Sequence, residues 1–339
     1  MASVDFSEKF TKGVDGENYV PTTINGMGDA ICKIAEQVIR QFSAKNPLNL
    51  FEKKPVNNGT TIEQMFIEMV EGEAYDRSGA NALTRKNPSL VVRYFDDWTP
   101  EKFHTSVDTS EIRKILQGEK SASDVASKIV SVLAQSDIYT KYTVLKSLLK
   151  LGRQVADGGQ NEGGVATGVG ASLIRAKTIA YDKLNSTINY DELLVSLRDV
   201  VDDMQFVNDT YNVAQIKKST DKENLVIVMP FYLKNRISVE KLAGVFNLSE
   251  AEIKDKMVVI DTADESEVVA EDGTYTYNYI YVLDKQAILD YTRLYEMLSQ
   301  LNADGRFWNY FLHTERMYGI SPLFDACYLK IGTGYTAAE

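Results

Sequence analysis

The chain contains two histidines, His104 and His313, and histidine is a common choice for binding metals and for transferring protons near neutral pH. A zinc site needs further histidines or cysteines at ligand spacing, and neither residue has one. Neither lies in an HExxH sequence. The two cysteines, Cys32 and Cys327, are far apart and form no CxxC pair, so neither a disulfide framework nor a zinc site is expected. We predict structural roles for both histidines, no metal site, and a reducing, cytoplasmic setting.

Other patterns that support chemistry are incomplete. The glycine-rich segment 158–170 has six glycines in thirteen positions, but it lacks the lysine that ends a phosphate-binding loop. No GxSxG sequence provides a nucleophile elbow. The adjacent carboxylates Asp202 and Asp203 diverge on either a helix or a strand, which makes them poor partners for acid–base catalysis. We expect no catalytic residue, no cofactor and no enzymatic activity.

Two further segments favour structural interpretations. Residues 261–272 carry six carboxylates and no basic residue, but they lack the DxDxDG spacing of a calcium loop, so a solvated turn is predicted. Residues 238–257 have the pattern of a helix-turn-helix. Its second helix offers Glu250, Glu252 and Asp255 where a DNA reader would present basic and amide side chains. A structural helical pair is therefore preferred.

The composition is that of a globular protein. The 339 residues are 44% hydrophobic and 25% charged, and this length suggests about two units with cores of their own. No uncharged apolar run reaches the roughly 18 residues of a membrane-spanning helix, and the charged N-terminus does not match a secretory signal. The formal charge of −11 argues against broad electrostatic binding to nucleic acid or anionic lipid.

The first part of the chain predicts an arm, a helix and a hairpin. Residues 1–26 have no sustained periodicity and are interpreted as an extended arm, and an amphipathic helix is predicted from Asp29 to about residue 45. Residues 60–75 interleave β-branched and apolar residues with four glutamates, which favours an edge-exposed strand, and residues 89–95 follow as a second strand, SLVVRYF. The polar segment 76–88 joins them. We expect a long hairpin that stands away from the core.

The rest of the chain mixes helices and strands. Two helices are predicted at 121–134 and 136–155, because the apolar period slips between them and Ser136-Asp137 can cap the second. The glycine-rich segment that follows is the clearest boundary. Beyond it we predict helices at 190–201 and 238–246 and after Ser249, strands at 224–229, 257–260 and 275–283, and irregular aromatic-rich elements up to residue 329. The order has no regular βαβ alternation, so the predicted class is α+β.

Several segments in this order resemble the major capsid proteins of small phi29-like podoviruses. The segments are VIRQFSAKNPLNL (38–50), GTTIE (59–63), GEAYD (72–76), the loop EKFHTSV (101–107), LAGVFNLSEAEIKDKMVVID (242–261) and RFWNYFLH (306–313). The resemblance covers most of the chain between residues 35 and 330, and it rests on the order and spacing of the segments together.

The resemblance implies the HK97-like capsid fold, with the following parts: an N-terminal arm and helix (1–45), an E-loop hairpin (46–110), a peripheral domain with a long spine helix (111–170), an axial domain (171–302), and a return to the peripheral domain with a C-terminal tail (303–339). The helix-turn-helix pattern then belongs to the axial domain. Some relatives carry a C-terminal immunoglobulin-like domain, and the sequence up to Glu339 is expected to have no room for one.

The resemblance also implies a function and partners. The chain is expected to be a major capsid protein that forms pentamers and hexamers of an icosahedral or elongated shell around double-stranded DNA. A scaffolding protein during assembly, a portal at one vertex and weak, non-specific contact with packaged DNA are implied, with no membrane. The location is the virion, assembled in the host cytoplasm. The alternatives are another homopolymeric virion component, such as a portal or tail protein, a nanocompartment shell, or an enzyme whose site the sequence hides.

The hairpin is the predicted contact with neighbouring subunits, because two strands alone are marginal in water and gain stability when laid across another surface. Eight residues are candidates for these contacts. Five are apolar or aromatic, namely Ile62, Phe66, Leu90, Val92 and Tyr94. Three are basic residues at the predicted tip, Arg77, Arg85 and Lys86, which are expected to meet acidic rims.

Overall fold

The fold was determined from a computed structural model. The structure describes residues 10–12, 19–21, 43–57, 59–72, 74, 85, 87–108, 119–153, 173–178, 190–236, 257–261, 265–269 and 273–337. The predicted helix after Asp29, the glycine-rich segment and the helix-turn-helix pattern therefore lie outside or almost outside the described residues.

The described elements are three α-helices, two short 3-10 helices and thirteen strands. The α-helices are α1 (Glu119–Arg153), α2 (Tyr190–Asp203) and α3 (Phe231–Arg236), and the 3-10 helices are Pro47–Phe51 and Lys222–Asn224. The first strands are β1 (Phe10–Lys12), β2 (Tyr19–Pro21), β3 (Ile62–Ile67), β4 (Leu90–Phe95), β5 (Thr99–Val107), β6 (Arg175–Thr178) and β7 (Leu225–Pro230). The others are β8 (Met257–Ile260), β9 (Glu265–Val269), β10 (Gly273–Asp284), β11 (Ile288–Asn302), β12 (Phe307–Ile320) and β13 (Ala326–Ala337).

The chain divides into two compact units. The first comprises Met1–Asn46, Pro100–Lys141 and Leu294–Glu315, and the second comprises Pro47–Thr99, Tyr142–Arg293 and Arg316–Glu339. The predicted boundary between residues 302 and 303 falls in the turn between β11 and β12. The labels axial and peripheral remain predictions.

A mixed sheet organises the second unit. Its strand order is β6-β13-β10-β7-β8, and β9 pairs with β10. The strand β7 has the sequence LVIVMP and is buried along its whole length, because its side chains alternate between two cores. Leu225, Ile227 and Met229 pack with the apolar face of α2, whereas Val226 and Val228 pack with Leu145 and Leu149 of α1.

A three-stranded sheet of order β11-β12-β5 contributes to the first unit. The long strands β11 and β12 are joined by a turn in which Asn302 Oδ1 accepts hydrogen bonds from the backbone N–H groups of Asp304 and Gly305, each at 3.1 Å. Arg306 closes the turn with a φ of 55°. This part of the chain was predicted to be irregular, and that prediction is wrong: polar residues such as His313 and Arg316 interrupt the apolar pattern of a continuous strand.

The structure corrects three further predictions. The two helices predicted at 121–134 and 136–155 are one helix, α1, in which Leu133, Asp137 and Lys141 are buried at intervals of four residues. Polar residues continue the buried stripe, so the apolar period alone suggests a break. The segment 101–107 is part of strand β5 rather than a loop, and residues 265–269 of the acidic run form strand β9 rather than a turn.

Most other predicted elements are confirmed. The helix predicted at 190–201 is α2, and the strands predicted at 224–229, 257–260 and 275–283 are β7, β8 and β10. The described part of the predicted arm contains β1 and β2, which pair antiparallel. No described helix is both long and apolar enough to span a membrane.

Candidate inter-subunit surface

The predicted hairpin is present as the antiparallel pair β3 and β4. Ile62 lies opposite Phe95, and the register continues to Ile67 opposite Leu90. The ladder extends one step further, since the backbone N–H of Glu68 donates to the carbonyl of Ser89 at 3.0 Å. Directly opposed residues of an antiparallel pair point to the same face, so this register assigns every side chain of the hairpin to one of two faces.

The first face, which we call the inner face, is attached to the second unit. It carries Ile62, which is only 9% exposed and packs in a small core with Leu289 and Met317. Phe95, opposite Ile62, packs against the same core. Further along, the hydroxyl of Ser321 donates a short hydrogen bond to Gln64 Oε1. The base of the hairpin is therefore held by both apolar packing and a polar contact.

The residues that lead into and out of the hairpin strengthen this attachment. The backbone N–H of Val56 donates to the carbonyl of Thr292 at 3.0 Å, which fixes the entering chain. Trp98 follows β4, and its ring centre lies 4.6 Å from the guanidinium of Arg293 in β11, a cation–π distance. The hairpin thus starts and ends on ordered contacts of its own unit.

The second face, which we call the outer face, is apolar and largely exposed, with Val92 half-buried. Its members alternate with those of the inner face, and they are Met65, Ile67, Leu90, Val92 and Tyr94, with Glu63 beside Tyr94. Ile67 is 61% exposed and Tyr94 is 67% exposed. Just beyond the strand, Met69 and Val70 are exposed as well. Single exposed apolar residues are normal on a protein surface, but a contiguous exposed row indicates an interaction site.

One polar contact orders the outer face. The hydroxyl of Tyr94 donates to Glu63 Oε1 at 3.3 Å across the two strands. The negative charge of Glu63, together with this hydrogen bond, raises the pKa of Tyr94 above its ordinary value, so the hydroxyl stays protonated and able to donate. At the far end, Lys217 Nζ lies 3.3 Å from Glu71 Oε1, an exposed ion pair that connects the hairpin to the loop after α2.

The structure divides the eight predicted contact residues. Leu90, Val92 and Tyr94 lie together on the outer face, while Ile62 and Phe66 lie on the inner face. Arg85 is exposed, and its Nε donates to Asn87 Oδ1 at 2.9 Å. Arg77 and Lys86 lie outside the described residues.

Sequence reasoning missed Met65 and Ile67, which share the outer face with Leu90 and Val92. The signal was present as the two-residue alternation of each strand, because Met65 and Ile67 have the opposite parity to Ile62 and Phe66. What the sequence did not provide was the pairing register between the two strands. Without the register, the exposed face of one strand cannot be matched to that of the other.

The two histidines have structural partners in the first unit. The ring of His104 stacks on Phe311 with centroids 4.6 Å apart, and its Nε2 lies 3.2 Å from Asn309 Oδ1. The ring of His313 lies 6.3 Å from Phe311 on a tilted plane. Within the described residues, no group of three or more histidine, cysteine, aspartate or glutamate side chains is arranged to hold a metal ion.

Comparison with known proteins places the chain in a capsid family. The model of the family described as Phi29-like phage major capsid protein matches residues 4–330. A relative named major capsid protein from Bacillus phage GA-1 is 20% identical over 298 residues, which are 87% of this chain and 58% of the relative. The chain thus spans about three fifths of the length of that relative.

Solved structures show the fold. The chain is similar to one in the capsid structure of Staphylococcus phage Andhra, with a TM-score of 0.67, 12% identity, and coverage of 92% of this chain and 88% of the other. A chain in the structure of the head fiber and inner core protein of native bacteriophage P68 has a TM-score of 0.63 and 14% identity, with 97% and 94% covered. The mixed α+β fold is that of the HK97-like capsid proteins. The chain belongs to the Phi29-like phage major capsid protein family.

Proposed function

We propose that this chain is the shell subunit of a tailed phage and that it self-assembles, as pentamers and hexamers, into the capsid around the double-stranded DNA genome. The observation that carries the proposal is the outer face of the β3–β4 hairpin, a largely exposed apolar row on an element whose other face is packed at its base on the core of its own subunit. Family membership supports the same function, since the relatives are named as major capsid proteins.

The two faces of the hairpin suit a protein that folds first and associates afterwards. The inner face and the flanking contacts hold the hairpin on its own subunit before any neighbour arrives. The outer face is left free of the subunit core, so its apolar area becomes buried only on association. Closed shells repeat one contact many times, and modest contacts allow wrongly placed subunits to leave before closure. A row of a few apolar side chains fits that requirement.

Charge at the predicted hairpin tip adds a second contact. Arg85 is exposed and Lys86 follows it in sequence, while the whole chain carries a net charge of −11, so an acidic surface on a neighbouring copy is expected to receive them. Reversing both charges, with Arg85→Glu and Lys86→Glu, should reduce assembly and make it less sensitive to salt. Replacing both with neutral glutamine is the matched control. Normal assembly of the reversed variant would contradict this contact.

The proposal includes partners and a location. A scaffolding protein acts during assembly, and a portal occupies one vertex. The packaged DNA makes only weak, non-specific contact, because the negative net charge of the chain repels phosphate. Assembly takes place in the host cytoplasm, and the function is structural rather than enzymatic. Strong, salt-sensitive DNA binding by purified shells would contradict the weak contact with DNA.

The first experiment is negative-stain electron microscopy of the protein expressed alone and together with the neighbouring open reading frames of its genome. Closed particles, tubes or sheets with a hexameric lattice are the expected result. A monodisperse small oligomer under both conditions would overturn the proposed function. Closed particles that appear only on co-expression would identify the need for a scaffolding protein.

A further inference from the structure

Three charged side chains are buried together in the second unit. Lys218 and Asp284 are each 8% exposed, and Asp325 is 1% exposed. Lys218 Nζ lies 3.6 Å from Asp284 Oδ2 and 3.5 Å from Asp325 Oδ2. The same nitrogen lies 4.6 Å from the ring centre of Phe324, so an aromatic side chain also borders it. The hairpin surface described above has no part in this cluster.

The backbone fixes the positions of these three residues. Lys218 exchanges two backbone hydrogen bonds with Asn208, each at 3.0 Å, in the loop that follows α2. Asp284 ends β10, and Asp325 immediately precedes β13. The backbone N–H of Asp284 donates to the carbonyl of Asp325 at 2.9 Å, which keeps the two carboxyl groups side by side. The amine and both carboxyl groups are therefore held in place by ordered chain.

The two nitrogen–oxygen distances from Lys218 are long for an ion pair. Charge-assisted hydrogen bonds between ammonium and carboxylate groups are typically about 2.7 to 2.9 Å long, and both distances from Lys218 exceed that range. Two carboxylates and one ammonium would also leave an uncompensated negative charge in a buried site, which is unfavourable. Burial, with the carboxylate of Asp325 adding to it, raises the pKa of Asp284 above its ordinary value in spite of Lys218 and the N–H of Gln286. Asp284 therefore holds a proton more readily than an ordinary aspartate does.

Asp325 receives two hydrogen bonds from other side chains. The hydroxyl of Thr220 donates to its Oδ2 at 2.6 Å, and Asn212 Nδ2 donates to its Oδ1 at 3.2 Å. Asn212 is itself held, because its Oδ1 accepts from the backbone N–H of Ile216 at 2.7 Å. Donors fixed on a carboxyl group in a buried site can stabilise the negative oxygen that develops when its carbon is attacked.

We propose that Lys218 and Asp325 form an intramolecular isopeptide bond, with Asp284 transferring the protons. Asp284 gives its proton to a carboxyl oxygen of Asp325, which makes Asp325 a neutral acid, and then takes a proton from the ammonium of Lys218. The neutral amine that results attacks Cγ of Asp325 with its lone pair. Thr220 and Asn212 hold the resulting oxyanion. Asp284 delivers the proton that it took to the departing hydroxyl group and removes a second proton from the nitrogen. The Nζ–Cγ bond has then formed, a C–O bond has broken, one water molecule has left and Asp284 is protonated again. No oxidant or other reagent is needed.

The test is the intact mass of the folded full-length protein, measured after denaturation. The expected mass is lower than the sequence mass by one water molecule. Trypsin cannot cleave after an acylated lysine, so digestion should release one branched peptide in which residues 218–222 are joined to residues 317–330. Its fragment spectrum should place the bond between Lys218 and Asp325.

Two matched variants complete the test. Lys218→Arg keeps a buried cation but has no nucleophilic amine, so it should show the full sequence mass. Lys217→Arg changes the exposed neighbour and should keep the loss of water. A full mass for the folded wild-type protein would overturn the proposal. So would a loss of water confined to a linear peptide, because that result reports cyclisation of an aspartate instead. Neither outcome bears on shell assembly, so the proposed function stands or fails separately.

Discussion

The two faces of the hairpin predict that alanine substitutions of two isoleucines in the same strand affect different properties, one the folding of the subunit and the other its association. Ile62 is buried on the inner face against Leu289 and Met317, whereas Ile67 is 61% exposed on the outer face. Ile62→Ala should weaken the folding of the subunit. Ile67→Ala should leave folding nearly intact and weaken association.

The magnitudes follow from the buried areas. Each substitution removes three side-chain carbons, worth about 2.4 kcal/mol if fully buried. For Ile62, the cavity left behind adds to this, so the free energy of unfolding should fall by about 2 to 4 kcal/mol. For Ile67, about two fifths of the side chain is covered in the isolated subunit, so the loss should be about 1 kcal/mol or less. The remaining three fifths, about 1.5 kcal/mol, would be lost at the contact with a neighbour, which is roughly a tenfold weaker association.

Two assays separate these effects. Urea titration of dilute, unassembled subunits measures the free energy of unfolding, and light scattering across a concentration series measures the threshold for assembly. Ile67→Ala should raise that threshold roughly tenfold. Equal destabilisation by both substitutions would refute the assignment of the two faces. Assembly of Ile67→Ala at the wild-type threshold would refute the role of the outer face.

Two more predictions concern the C-terminal part of α1. Gly152→Ala should lower the free energy of unfolding, measured by urea titration, by about 1 to 3 kcal/mol. Alanine favours helix, but its Cβ would overlap side-chain atoms of Ile320 and Ile174. An unchanged free energy of unfolding would contradict this packing. Asp261→Asn should reduce stability at neutral pH by about 0.5 kcal/mol, a small value because the pair is exposed. Burial favours the neutral acid of Asp261, but the hydrogen bonds from Lys146 and Tyr142, each at 2.6 Å, and the positive charge of Lys146 together outweigh it and lower the pKa. The stability that this carboxylate contributes is therefore lost as the pH falls, and the two proteins should converge below about pH 4; a difference that persists in acid would contradict the role of the ion pair.

The sequence predicted the elements whose side chains follow one clear period. The strand β7 has an uninterrupted apolar sequence and lies in the middle of the sheet, buried on both faces, as such runs suggest. The helix α2 begins at its predicted start, Tyr190, and ends two residues beyond its predicted end. By contrast, α1 contains Asp137 and Lys141 in its buried stripe, so an analysis of apolar residues divides a helix that the backbone continues.

The sequence predicted the hairpin that carries the candidate surface, but it did not predict which residues of the two strands lie on the same face. Two apolar, β-branched segments joined by a polar segment located the hairpin. Its two faces depend on how β3 pairs with β4 across the long connection after Ile67, and no local pattern encodes that register. The cluster around Lys218 is even harder to predict from the sequence. Asp284 and Asp325 lie 66 and 107 positions beyond it in sequence (284 − 218 and 325 − 218), and only the completed sheet brings them together.

The strand order of the larger sheet has a consequence for synthesis on the ribosome. Strand β6 pairs only with β13 among the described strands, and β13 also forms the longest pairing of β10. A nascent chain that has been translated through β10 therefore has neither a partner for β6 nor a complete sheet until Ala337 has been added. The larger sheet cannot be completed strand by strand as translation proceeds, so the folding of its core is delayed until β13 has been made. Such a delay would keep truncated subunits out of a growing lattice, where each would leave a defect.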